Sequence, residues 1–299
     1  MAQIATLFGG SGFVGSYIAR RLVKRGWQVR VSSRSNNVPG QESVTFVQCD
    51  INDDDSVRAA MEGAEAVVNC VGTFDKSGDN GFQAIQHQGA ARIARIAAEL
   101  STPRLSHLSA IGADPSSHTL YGQSKGQGEE AILSTFPDAV ILRPSVIFGP
   151  EDQFFNRFAA MTRFNPVLPV VGAATRFQPV YVDDVAHAAE KAVIGEADPG
   201  IFELGGPEAK TFKDLMRVML DVLDRRRLIV NIPFPIAHLM GIGMELGQTL
   251  TGGFLPAQIT VDQVRSLKSD NVVGPNTQTL ETLGITPTPM MDILPSYLR

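Results

Sequence analysis

Apolar residues along the first half of the chain fall into two alternating rhythms. The short runs IATLF (4–8), WQVRVSS, SVTFVQC, AEAVVNCV, RLSHLS and AVILRPSVI (139–147) read as six strands. Between them the apolar positions recur at helical spacing. Val14, Ile18 and Leu22 lie one turn apart, and Gly26 stands where a glycine ends a helix after Arg25. A short helix starts in NDDDSV. FQAIQHQGAARIARIAAEL is a long helix between the fourth and fifth strands, and SKGQGEEAILSTF continues a helix that begins near Leu120. Strands that alternate with helices predict a parallel sheet with crossover connections.

After Pro150 the rhythm loosens, with Pro166, Pro169, Gly172 and Pro179 breaking the pattern. QPVYV and then the helix DDVAHAAEKAV are followed by the strand GIFEL, the helix TFKDLMRVMLDVL and the strand RLIVNIP. The expected division is 1–150 for the main domain, with 177–194 as a segment that could return to it, and 151–299 for a smaller lobe against the carboxyl edge of the sheet. No internal repeat or low-complexity stretch is present, and DRRR (224–227) reads as a solvated helix end.

Composition narrows the class. A hydrophobic share of 43% supports a real core, and a formal charge of −5 argues against nucleic acid as a partner. Cys49 and Cys70 make no disulfide framework and read as small buried hydrophobes in a reducing compartment. Met1-Ala2-Gln3 leads straight into the first strand without the pattern of a signal peptide, and no apolar run is long enough to span a bilayer.

GGSGFVG (9–15) sits between the first strand and the first helix, with Gly9, Gly12 and Gly15 at three-residue spacing. In that setting the turn predicts a dinucleotide cradle, in which Ser11, Phe13 and Val14 share the contacts and the helix N-terminus faces the pyrophosphate. The expected fold is α/β: a Rossmann-type doubly wound parallel sheet with a smaller C-terminal α/β lobe. The second strand ends Ser32-Ser33-Arg34 without an acid. Hydroxyls beside a guanidinium suit a 2′-phosphate, so NADPH is expected over NADH; a plain surface charge at Arg34 is the other reading. Asp50 could accept from the adenine amine with Ile51 against the ring, or could cap the next helix. Asn69, Cys70, Val71 and Gly72 end the fourth strand where the cofactor would cross the sheet edge.

With GGSGFVG, Asp50, Asn69 to Gly72, YGQSK, LRPSVIFGP, PVYVDDVAHA and IFELGGPEAKTF in order, the chain resembles the extended and atypical short-chain dehydrogenases/reductases over nearly its whole length. The resemblance implies that Tyr121 is the general acid/base and that Lys125 binds the nicotinamide ribose and lowers the tyrosine pKa. It also places Pro144, Ser145 and Val146 near the nicotinamide ring. The serine of that family falls on Ser109 or Ala110, and its asparagine is replaced by Gln86. AQIATLFGGSGFVGSYIARRLVKRGWQVRVSSR, HLSAIGADPSSHTLYGQSKGQGEEAI and ITVDQVRSLKSDNVV are similar to the short-chain-dehydrogenase-like accessory subunits of respiratory complex I, of the alpha subcomplex subunit 9 type. That resemblance implies a tightly bound NADPH, complex I subunits as partners and a structural or regulatory role. It implies a cytoplasmic protein peripheral on the inner face of the bacterial inner membrane, or on the matrix side for a mature mitochondrial chain. A free NADP(H)-dependent oxidoreductase, epimerase or dehydratase, and a redox-sensing regulator, are the competing readings.

PFPIAHLMGIGMELGQTL (233–250) carries one acid, Glu245, and one histidine, His238, among Ile236, Met240, Met244 and Leu246. It reads as a docking face for a partner chain or lipid, or as a helix closing the lobe. GQTLTGGFLP overlaps its end and reads as a connector or as a loop ordered on binding. His87, His107, His118 and His187 lack metal-ligand spacing, so no metal site is expected.

Overall fold

A computed structural model describes residues 3–35, 43–76, 78–250 and 260–299, with backbone only at 248–250. The expected connector therefore lies outside the described residues from position 251 onward.

The chain opens with β1 (Ile4–Phe8), α1 (Phe13–Lys24), β2 (Gln28–Ser33), β3 (Val44–Gln48), α2 (Asp54–Met61) and β4 (Ala66–Asn69). A π-helical turn (Gln83–Gly89) runs into α3 (Ala90–Glu99), followed by β5 (Arg104–Leu108), α4 (Leu120–Thr135) and β6 (Val140–Pro144). It continues through β7 (Ile147–Phe148), α5 (Phe155–Met161), β8 (Val167–Val171), β9 (Arg176–Phe177), β10 (Val180–Tyr181), α6 (Val182–Ile194) and β11 (Gly200–Leu204). The last elements are β12 (Lys210–Thr211), α7 (Phe212–Val222), β13 (Leu228–Ile232), α8 (Phe234–Leu250), α9 (Val261–Ser266) and α10 (Met290–Tyr297).

Two compact units result. The first comprises Met1–Ser145, Val180–Gly205 and Val273–Thr288; the second holds the remaining three segments. In the first unit seven parallel strands run in the order β11-β6-β5-β4-β1-β2-β3. β4 is buried throughout and β1 nearly so, as strands covered on both faces must be. α1 lays Gly15, Ile18, Ala19 and Leu22 on the sheet, one residue round from the expected stripe at Val14. Burying a side chain such as Leu22 stabilises by about 2 kcal/mol. From one flank of α1, Arg21 and Arg25 reach Glu190 of α6 at 2.6 and 2.5 Å, and Arg21 also reaches Asp183 at 2.8 Å.

GIFEL does not belong to the smaller lobe. As β11 it pairs with β6, from Gly200 opposite Val140 to Leu204 opposite Pro144, and becomes the seventh strand of the main sheet. The run expected as one strand over 139–147 stops at Pro144 and resumes as the two-residue β7 at Ile147. The long helix expected after the fourth strand begins with the π-turn, so its first residues follow a wider spiral.

Glu129 of α4 is almost fully buried, and one partner is Arg143 of β6, whose Nε lies 2.9 and 3.1 Å from the two carboxylate oxygens and whose Nη2 lies 2.5 Å from Oε2. The Ser109 hydroxyl donates to the same carboxylate. Burial pulls the Arg143 pKa down, but the bonds and charge of Glu129 outweigh that and raise it.

In the second unit β8 and β13 pair in parallel, and β9 and β12 pair antiparallel. Phe148, Phe154, Phe155, Phe158, Phe177 and Phe212 form one cluster of edge-to-face and stacked rings. Among its described side chains α8 buries a narrow stripe, with Ala237 packed beside Val171 and Val264. Its Ile236, Leu239, Met240, Ile242 and Leu246 face outward. No helix among the described residues is long and apolar enough to cross a membrane.

Removing one member of a buried ion pair strands the other. Glu129→Ala should lower unfolding free energy by about 3 kcal/mol, read from urea denaturation, and Glu129→Gln by less, because the amide still accepts from Arg143. A loss below about 1 kcal/mol in the alanine variant would contradict this account of the pair.

Candidate dinucleotide site

Beside β1 the strand order reverses, with β2 and β3 on one side and β4 on the other. Connections leaving β1 and β4 diverge at their carboxyl ends and open a crevice, the usual ligand seat in such sheets. Gly9 adopts φ +75, and a Cβ there would approach the Cys70 carbonyl carbon to 3.1 Å. At Gly15 a Cβ would lie 2.4 Å from the Gly9 carbonyl oxygen, so only glycine lets α1 dock on its own turn. Gly12 caps α1 with extended backbone and no side-chain acceptor. The first N–H groups of the helix, at the positive end of its dipole, are thus left for an outside anion. A pyrophosphate meets donors here and no intruding side chain, so the cradle fits a dinucleotide.

Gly9, Gly12, Phe13, Val14 and Gly15 line a crevice of about 370 Å³ together with Cys70, Gly72, Thr73 and Phe74. Gln86, Leu108, Tyr121 and Lys125 line it as well. Ser11 is exposed on the turn.

Thr119 caps α4 by accepting from Gly122 N at 3.1 Å, and this sets the first turn that carries Tyr121. Lys125, one turn on, is only 4% exposed and donates from Nζ to the Leu108 carbonyl at 3.0 Å. Burial lowers its pKa to about 8 against the opposing pull of Glu129 and Cys70. The Tyr121 ring stacks on Phe74 at 5.9 Å and meets the edge of Phe82 at 5.8 Å. Burial pushes its hydroxyl up to about 12, so at neutral pH it holds its proton. The same desolvation pushes the Cys70 thiol up to about 12 and leaves it inert. His107, buried in β5, is driven well below the ordinary histidine range by desolvation first and the Lys125 charge second, and it stays neutral.

The remaining expected residues divide into those near the crevice and those committed elsewhere. The Ser109 hydroxyl points to Glu129 and not among the groups that line the crevice, while Ala110 follows with no polar group. Gln86 is 1% exposed; its amide donates to the Thr73 carbonyl at 2.7 Å and accepts from Ser124 Oγ at 2.9 Å. Ser33 Oγ donates to the Ser35 carbonyl, and Arg34 is exposed at the end of β2. Asp50 accepts from Asn52 N at 2.9 Å and does not cap α2, a task that falls to Asp53. Ile51 is buried beside Val71 in one core cluster, and Val71 N donates to Asn69 Oδ1. Pro144 and Ser145 are buried at the end of β6, and Ser145 N donates to the Leu204 carbonyl. Val146 begins the second unit.

Phe74, Glu129 and Arg143 were not among the expected site residues. Glu129 could have been found: Tyr121, Lys125 and Glu129 follow at four-residue steps and share one face of α4. Arg143 within the apolar run VILRP asks for a partner in the same way. Phe74 stands in a loop with no periodicity to mark it.

A glycine cradle at the switch point of a parallel sheet, with a Tyr/Lys pair on one helix face beside it, defines an NAD(P)-binding α/β protein. The chain belongs to the NAD dependent epimerase/dehydratase family, whose model matches residues 5–205. It is 32% identical to the NADH dehydrogenase [ubiquinone] 1 alpha subcomplex subunit 9, mitochondrial, of Arabidopsis thaliana, over 95% of this chain and 74% of that one. It is 28% identical to the ceramide reductase of Caulobacter vibrioides, over 83% of this chain and 79% of that one. Its fold matches the UDP-glucose 4-epimerase of Thermus thermophilus, solved with NAD, at a TM-score of 0.73 and 17% identity, over 99% and 98% of the two chains.

The depressed Lys125 pKa makes nucleotide-free protein pH-sensitive in a defined direction. Below about pH 8 the buried ammonium is charged in both states, and its desolvation penalty is fully present. Between about 8 and the ordinary lysine value of about 10.4 only the unfolded chain holds the proton, so the penalty fades and stability rises. Cys70, whose thiol above about pH 8.5 loses its proton only in the unfolded chain, pulls the other way, so the urea midpoint of the parent should climb relative to that of Lys125→Met between about pH 7.5 and about pH 9.5. An equal climb in both proteins would exclude Lys125 as its source.

Proposed function

We propose that this chain is an NADP(H)-holding accessory subunit of NADH:ubiquinone oxidoreductase, complex I, with a structural or regulatory role. The observation that carries this reading is the state of the acid/base site. Tyr121 and Lys125 sit in the crevice, yet Phe74 and Phe82 cover the tyrosine ring and the Ser109 hydroxyl is committed to Glu129. The serine that the family would use to polarise a substrate oxygen is thereby withdrawn from the crevice lining, and such donors supply much of the catalysis in acid/base sites. Both residues keep a use without turnover, because Lys125 and Tyr121 also bind a nicotinamide ribose. When bound, the nucleotide would supply hydride chemistry. Gly9, Ser11, Gly12, Phe13, Val14 and Gly15 would hold its pyrophosphate. Asp50, Ile51, Val71 and Gly72 would lie along the adenosine half, and Pro144, Ser145 and Val146 near the nicotinamide.

The likeness to a complex I subunit over 95% of this chain and 74% of that one supports the partner assignment. The outward apolar face of α8 is then the surface for other complex I subunits or the adjoining lipid, at the inner face of a bacterial membrane or the matrix side of a mitochondrial one. A second reading, a free NADP(H)-dependent reductase or epimerase, draws support from the ceramide reductase likeness and from the intact Tyr121/Lys125 pair.

Affinity capture from gently solubilised membranes separates the two readings. Stoichiometric recovery of complex I subunits supports the accessory role, and recovery of the chain alone in the soluble fraction supports the free enzyme. For the cofactor, Ser33 and Arg34 in place of an acid favour NADPH. Arg34→Asp should reverse the preference, with NADPH binding falling at least about tenfold in a fluorescence titration. Equal affinities in the parent protein would refute the NADPH assignment.

A further inference from the structure

Arg34 stands at the carboxyl end of β2, and its Nη1 donates to Oδ1 of Asn80, forty-six positions along the chain. Asn80 lies in a closed turn: Gly78 takes φ +78, and Gly81 N donates to the Gly78 carbonyl at 2.9 Å. The carbonyl of its neighbour Asp79 accepts from Asn52 Nδ2 at 2.7 Å. Asn52 in turn follows Asp50 and Ile51, the residues placed along adenosine. The turn 78–81 therefore ties the segment after β2 to the segment after β3. Asn80 is exposed and belongs to no apolar cluster, so packing does not account for its bond to Arg34.

We propose that Asn80 is the positioning residue that sets the preference for a 2′-phosphate, by holding the Arg34 guanidinium in place. The proposal rests on the NADP(H) reading above. A guanidinium carries five N–H donors in a planar fork, and one spent on Asn80 leaves the others for a phosphate. A loose surface arginine must give up rotamer freedom when it grips a ligand; one already held gives up less. The amide does this without cancelling the charge. A carboxylate at the same place would pair with Arg34 and repel the dianion.

The test is a set of NADPH and NADH dissociation constants for the full chain and for N80A, N80D, R34A and the N80A/R34A double variant. N80A should weaken NADPH by about five- to tenfold, on the order of one ordinary hydrogen bond, and leave NADH within about twofold. N80D should weaken NADPH further, and N80A should add nothing once Arg34 is alanine. The unchanged NADH affinity reports that the fold is intact. An equal loss for both nucleotides in N80A would make the turn merely structural and overturn the proposal. If the parent prefers NADPH and N80A keeps that preference, the role of Asn80 falls while the NADP(H) reading stands. If the parent binds both nucleotides equally, the two fall together.

Discussion

A Cβ at position 15 would lie 2.4 Å from the Gly9 carbonyl oxygen, and this approach fixes how α1 sits on the end of β1. Much of the first unit follows from it. The helix N-terminus faces the crevice at close range, and Ile18 and Leu22 seal the sheet below it. One flank of the same helix brings Arg21 and Arg25 against the buried Glu190 of α6. One backbone contact thus sets both the anion cradle and the docking of the returning helix. A methyl group at Gly15 would disturb the two together.

The second constraint is the polar face of α4. Tyr121, Lys125 and Glu129 lie along one side of a helix that faces the sheet, where burial strips away much of their hydration. Each is settled by a different means. Tyr121 keeps its proton, Lys125 leans on the Leu108 carbonyl, and Glu129 is neutralised by Arg143. Ser109 is drawn into the last of these arrangements, so the device that keeps a buried carboxylate satisfied also removes a hydroxyl from the crevice. Stability and the character of the site are decided by the same few atoms.

Period and punctuation revealed the main sheet, the glycine cradle and the Tyr/Lys pair, because each is local: a run, a turn, a helical repeat. Whatever depends on distant partners stayed hidden. Whether Ser109 or Ala110 faced the crevice could not be read from a strand end, where one residue of register changes the face. Its bond to Glu129 links positions twenty apart. GIFEL reads as a strand, but nothing within its five residues names β6 as its neighbour. The π-turn at Gln83–Gly89 has no local signature in FQAIQHQGA, which carries the spacing of an ordinary helix. Phe74 gave no periodic signal, and its significance lies wholly in the ring it covers.

The first unit is threaded from three separate stretches of chain, and its seventh strand is made only after the thirty-four residues from Val146 to Pro179 have been laid down elsewhere. During synthesis β6 therefore waits as an open edge, with a row of unpaired N–H and C=O groups and with Arg143 lacking its contact to Glu203. A nascent or truncated chain that ends before Leu204 presents an adhesive sheet margin to chaperones, proteases and its own copies. For this protein the hazardous interval is a property of the threading, and completion of β11 is the event that closes it.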